Sequence, residues 1–238
     1  MRFAPYLFSF LLLLSSCDLV FRKKVSGNGN IVTRAISTGN FNEVEARGSM
    51  DVRIRKGSAT EVKVEVDENL FEHLDIHVDG ETLVVTTKRN VNISPSRDMI
   101  VYVTAPDFER VAASGSGDLM SENQLSFDHP LTLQTSGSGN IQAEVDVPEL
   151  TTKTSGSGNV SLRGRAEEFE ASVSGSGEVH AADLRSQNAK LRISGSGDAD
   201  VYAEKALEVR VSGSGTVRYK GEPRTDIKTS GSGSVSKM

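Results

Sequence analysis

The sequence predicts an all-β protein: a parallel β-solenoid of coils 18–22 residues long, preceded by an irregular, antiparallel-rich capping portion. Three observations carry this. First, Ser-Gly-Ser-Gly occurs seven times, beginning at Ser114, Ser136, Ser155, Ser174, Ser194, Ser212 and Ser230, at intervals of 22, 19, 19, 20, 18 and 18 residues. A period near 20 marks a repeat architecture, whose units cannot bury an apolar face alone but can when stacked. Second, apolar residues and glycines alternate with polar ones straight through the motif, as in Phe169, Ala171, Val173, Gly175, Gly177, Val179 and Ala181. Period two means a strand with one buried face. Third, only 5% of the 238 residues are aromatic, Trp is absent, and there are 22 glycines. Large cores lean on aromatic rings for buried area, so this interior must be narrow and closed by Val, Leu, Ile, Ala, Thr and Gly.

The bulk composition narrows the function classes. With 37% apolar and 25% charged residues the chain is an ordinary globular one, neither disordered nor many times membrane-spanning. A formal net charge of −5 argues against nucleic acid as a partner, which calls for a basic excess. The single cysteine excludes an internal disulfide and any cysteine-based metal cluster.

Residues 1–16 read as a lipoprotein signal peptide: Met1-Arg2, an apolar run from Phe3 to Leu14, then Leu14-Ser15-Ser16-Cys17. The run is too short to span a bilayer comfortably. The sequence before Cys17 resembles the lipobox of bacterial lipoproteins, which implies lipidation of Cys17 and cleavage before it. The expectation is a membrane partner through that anchor, in the bacterial cell envelope and at the outer membrane. Two or three acyl chains hold a protein stably where one is marginal. Residues 17–24 form a tether with the basic cluster Arg22-Lys23-Lys24, which suits either anionic head groups or a solvated spacer.

Residues 25–110 form the irregular part. Val25 to Ile31 keeps both motif glycines in degraded form, and Ala46 to Val52 keeps one. Glu61 to Val66 alternates as a strand, and Asp67 to Leu74 fits one helical turn with Asp67 as its cap. Asp79-Gly80 joins His73–Val78 and Thr82–Thr87 as a hairpin, and Met99–Thr104 is a further strand ended by Ala105-Pro106. Such atypical end units commonly cap repeat stacks.

Residues 111–238 form the solenoid. Inward glycines allow a sharp bend and close backbone approach, while the serines face out. Gly164 or the polar stretch Arg185-Ser186-Gln187-Asn188 closes the turn. Coils stacked at about 4.8 Å over the six intervals give a shaft of about 29 Å. An antiparallel sandwich of the same strands is the runner-up, and repeat identity at equivalent positions favours stacking.

These units, Ser-Gly-Ser-Gly followed by Asp, Asn or Glu and then Val or Ile, come after a less regular half beginning near Phe41-Asn42-Glu43-Val44. In this the chain resembles the family described as "putative auto-transporter adhesin, head GIN domain" over nearly all of residues 17–238. The resemblance implies a β-helical envelope protein, often a lipoprotein, and brings no catalytic residues.

Candidate chemistry is sparse. The residues after the motif are Asp118, Asn140, Asn159, Glu178, Asp198, Thr216 and Ser234, too few of them acidic, and at too long a period, for a calcium column of the nonapeptide kind. His73 and His77 lie four apart, but Leu74, Ile76 and Val78 alternate there, which puts the pair on a strand's solvent face without a third ligand. A carbohydrate-active enzyme would need paired carboxylates and aromatic platforms, and no such set is readable. The sequence therefore assigns no catalytic residue, no cofactor and no metal.

The informative surface comes from aligning the repeats. Two positions before each of the last six motifs lie Gln134, Lys153, Ser172, Arg192, Arg210 and Lys228, four of the six basic. The neighbouring column reads Thr132, Thr151, Glu170, Lys190, Glu208 and Asp226. Cross-strand charge pairs offset like-charge repulsion within such columns, and a solvated face of this kind discourages edge association. The same face, through Lys153, Arg192, Arg210 and Lys228, is the candidate surface for a glycan or envelope-protein partner. Val235-Ser236-Lys237-Met238 begins a coil without a recognisable cap, which invites self-association. The resulting expectation is a non-enzymatic binding or adhesive module. A structural envelope component is the alternative, and a carbohydrate-active enzyme comes third.

Overall fold

A computed structural model describes residues 23–238, so the expected signal peptide and the expected lipidation site at Cys17 lie outside the described residues. The described residues are 68% strand and coil into a β-solenoid of about seven turns. Two sheets enclose one core. The first stacks Thr82–Thr87, Glu43–Gly48, Arg110–Gly115 and Leu131–Gly137, then the second arms of Ile141–Gly156, Val160–Gly175 and Val179–Gly195, and ends with Ala206–Gly213 and Arg224–Gly231. The second stacks Ile100–Ala105, Asp51–Lys56 and Leu119–Ser121, the first arms of the same three long strands, and then Ala199–Tyr202, Thr216–Lys220 and Ser234–Lys237. Every one of these pairings is parallel, which excludes the antiparallel sandwich.

At the N-terminal end both sheets turn antiparallel. Leu74–Asp79 closes the first sheet against Thr82–Thr87 through the expected hairpin, with Gly80 at φ +62°. Glu61–Asp67 closes the second against Ile100–Ala105, and Ile31–Ile36 adds outside it. The parallel stack itself reaches below residue 110, because Glu43–Gly48 pairs in register with Arg110–Gly115.

The glycines explain the narrow bore. Gly48, Gly115, Gly137, Gly156, Gly175, Gly195, Gly213 and Gly231 form one column in register. At Gly175, φ is +127° and a Cβ would lie 2.2 Å from the carbonyl oxygen of Gly156. The second glycine is excluded from substitution by closeness alone: a Cβ on Gly158 would lie 2.0 Å from Gly139 O. The first glycine is thus a half-buried corner, and the second is the inward one. The following serine uses its backbone to lock the corner, as Ser157 N–H donates to Gly137 O and Ser176 N–H to Gly156 O, both at 2.9 Å.

The residue after the motif belongs to the same locking system. Asp51 Oδ1 accepts from Asp118 N–H (2.9 Å), Asp118 Oδ1 from Asn140 N–H (2.8 Å), and Asn140 Oδ1 from Asn159 N–H (3.0 Å). Asn159 Oδ1 then accepts from Glu178 N–H at 3.0 Å. A short side chain ending in an oxygen is what this ladder requires, so the Asp/Asn preference is structural. Among the described residues no group of three metal-ligating side chains converges.

Two local expectations are corrected. Val25 to Ile31 is not a degraded coil: Lys23–Ser26 pairs with Val91–Ser94 in a separate two-stranded ribbon, and Gly27 to Asn30 forms a loop. Asp67 precedes the 3₁₀ turn Glu68–His73 but makes no side-chain cap to it. Its carboxylate is fully buried and accepts from Gly29 N–H (2.7 Å), Ser96 N–H (2.8 Å) and Ser96 Oγ (2.7 Å). A Cβ on Gly27 would lie 2.2 Å from that carboxylate, so the N-terminal glycines serve Asp67 rather than a coil corner.

Candidate binding face

The stacked arms place the predicted columns side by side on the first sheet. Gln134, Lys153, Ser172, Arg192, Arg210 and Lys228 are register partners from coil to coil, as are Ser136, Ser155, Ser174, Ser194, Ser212 and Ser230. Between them runs a groove of about 660 Å³ along the shaft, with Thr135, Thr154, Val173, Ile193, Val211 and Thr229 at its floor. Long cationic side chains wall one side and short hydroxyls the other. Such a groove admits a narrow, extended ligand lying along the axis.

The acidic neighbours modify the charge of this wall. Arg192 pairs with Glu170, and Arg210 bridges Glu208 (3.5 Å) and Asp226 (2.8 Å). The Arg210 guanidinium holds the Asp226 carboxyl below its ordinary value. Lys153 and Lys228 have no ion pair among the described residues, so the two ends of the wall carry the unneutralised charge. Exposed pairs of this kind contribute little to stability, which leaves Arg192 and Arg210 free to exchange their carboxylates for an incoming anion.

The second sheet differs. Its outward charges pair along the stack: Arg163 with Glu144 (2.9 Å), Arg165 with Asp146 (3.5 Å), and Arg218 with Asp200 (2.7 Å). The concavity there, about 280 Å³, touches Gln142, Glu144, Ser161, Arg163, His180 and Asp183 and is largely self-neutralised. The histidines do not converge. His73 ends the 3₁₀ turn, His77 bonds Asp75 at 3.0 Å, and His180 faces Glu178 at 3.1 Å. His129 stacks on Phe127 with centroids 5.2 Å apart and meets Asp107 at 2.6 Å. The contact with the Pro130 carbonyl, aided by Asp107, raises the His129 pKa.

Sequence reasoning located the cationic column but not the groove beside it. The signal for the groove was present in the contrast of long and short side chains at alternate outward positions. The diagonal pairing of Arg192 and Arg210 was visible only as two adjacent columns of opposite character.

The fold and this face define a β-solenoid that presents a repetitive, axial surface. The family model described as "Putative auto-transporter adhesin, head GIN domain" matches residues 40–223, and the chain belongs to that family. A solved structure described as a "putative lipid binding protein" from Parabacteroides distasonis is 27% identical, with a TM-score of 0.75. The match covers 91% of this chain and 100% of that one. A "putative adhesin" from Bacteroides fragilis shares the fold at a TM-score of 0.85 and 22% identity, over 90% of this chain and 100% of its own. Another from Parabacteroides distasonis has a TM-score of 0.71 at 24% identity, covering 91% and 100%. No curated protein matches the chain.

Proposed function

We propose that the protein is a lipid-anchored envelope adhesin whose groove along Lys153, Arg192, Arg210 and Lys228 binds an extended acidic polymer, without catalysis. The observation that carries this reading is the axial groove with cations on one wall and hydroxyls on the other. A coil spacing of about 4.8 Å repeats these groups along the shaft at intervals comparable to the length of a sugar unit. Membership of a family described as adhesins supports a surface role, and the relative described as lipid binding fits an address at a membrane.

The anchor is the thiol of Cys17. Cys17→Ala should move the protein from the membrane pellet to the soluble fraction, because acylation supplies most of the membrane affinity. Continued pelleting of that variant contradicts the anchor. For the face, cells displaying the protein should adhere to a surface coated with a polyuronate, an acidic polysaccharide. Lys153→Glu with Arg192→Glu, both away from the final strand, should reduce that adhesion at least tenfold. Undiminished adhesion refutes the groove. A structural envelope role without ligand is favoured if neither chain adheres.

A further inference from the structure

The last strand of the first sheet, Arg224–Gly231, is exposed at every position and has no neighbour on its outer edge among the described residues. We infer that this edge pairs with the same edge of a second copy, antiparallel, about a two-fold axis through Ile227. The backbone fixes which residues can pair. Arg224 N–H donates inward to Lys205 O at 2.8 Å, so the even-numbered residues turn their amides and carbonyls toward Ala206–Gly213. The odd-numbered residues, Thr225, Ile227 and Thr229, therefore present theirs to the outside. An antiparallel partner must then set odd residues opposite odd ones to make hydrogen-bonded pairs.

Only certain registers satisfy this, and the side chains choose among them. With Ile227 opposite its own copy, Thr225 faces Thr229, Asp226 faces Lys228 and Arg224 faces Ser230. Sliding by one allowed step in either direction sets Asp226 against Asp226 or Lys228 against Lys228. Opposite charges across a pair stabilise and like charges directly opposite destabilise, so the Ile227-centred register is selected by both attraction and repulsion. On the inward face Ile227, 40% exposed in the single chain, meets its copy above the core and would be covered. An open edge carrying Ile227 is otherwise a liability for uncontrolled pairing, and a closed two-fold contact removes it. Asp226 keeps Arg210 beneath it while gaining Lys228 from the second copy, since a carboxylate accepts from several donors.

The test uses the full chain purified in detergent. Sedimentation equilibrium should show two protein copies per particle at micromolar concentration. Asp226→Lys or Lys228→Asp alone should weaken association at least tenfold, and the two together should restore it. In this register Ile227→Cys should give a disulfide-linked dimer on mild oxidation, because directly opposed Cα atoms about 5.5 Å apart lie within disulfide range. Thr225→Cys alone should not, whereas Thr225→Cys with Thr229→Cys should. A single copy at all concentrations overturns the inference, as do single charge reversals without effect or equal cross-linking at positions 225 and 227. Because the measurement involves no polymer, it stands apart from failure or success of the groove.

Discussion

Gly175→Ala should lower the melting temperature by on the order of 10 °C, while Ser174→Ala beside it changes little. At φ +127° an alanine is held in a region nearly closed to side-chain-bearing residues, a cost of about 1–3 kcal/mol. The added Cβ would also sit 2.2 Å from Gly156 O, and that contact involves backbone fixed on both sides by the stack. Relief requires spreading two coils, which lengthens the bond from Ser176 N–H to Gly156 O. The combined loss is about 3–4 kcal/mol, measurable by thermal unfolding followed by circular dichroism. Gly29→Ala provides the contrast: φ is +79° but no atom lies within 4 Å, so only the conformational cost of about 1–2 kcal/mol applies. Equal effects at Gly175 and Gly29 would mean that stacking distance is not what the motif glycines serve.

Asp67→Ala should destabilise the N-terminal portion by about 2–4 kcal/mol, since it removes the buried carboxylate and with it the charge-assisted hydrogen bonds that tie the Gly29 amide and Ser96 to the fold. The same carboxylate sets an acid limit on stability. Burial pushes its pKa up, but the backbone and hydroxyl of Ser96 and the amide of Gly29 outweigh this and hold it below the ordinary 3.8. A carboxyl with a lowered folded-state pKa binds its proton more readily when unfolded. Its stabilisation is therefore present above the ordinary value and is lost as pH falls through it toward the folded value. Asp67→Asn cannot titrate, and its stability should fall less steeply than that of the wild-type chain on acidification. Urea unfolding at neutral and acid pH, with retained slopes checked at both, measures this. Parallel acid limbs in the two proteins contradict the assignment.

The parts of the fold that were legible in the sequence are those that repeat. A period carried by seven motifs fixes the strand alternation, the corner and the parallel register together, because each coil contacts only its neighbours. Lys153, Arg192, Arg210 and Lys228 fell into one column for the same reason. What repeats cannot announce are contacts made once. The Gly27–Gly29 loop looked like a fading coil because its glycines have the motif's spacing, yet one of them makes room for a carboxylate 40 residues away, at Asp67. Asp67 in turn looked like a helix cap, since its acceptors satisfy either role locally, and the choice was made by Ser96. The Asp/Asn position after each motif was too rarely acidic and too widely spaced to read as a metal column, and its partner, the next coil's backbone amide, is invisible until the coils are stacked.

The proposed adhesin binds an extended acidic ligand through one face of the solenoid, and not through its charge in general. The most direct measurement titrates soluble polygalacturonate into the full chain in detergent, at low and at physiological salt. Three proteins are compared: wild type, Lys153→Glu with Arg192→Glu, and Arg163→Glu with Arg218→Glu on the opposite sheet, which changes net charge equally. Binding should be saturable, weaken with salt, fall at least tenfold in the first variant and be retained within about twofold in the second. Equal losses in both variants, or no binding by the wild-type chain, would contradict binding through that face.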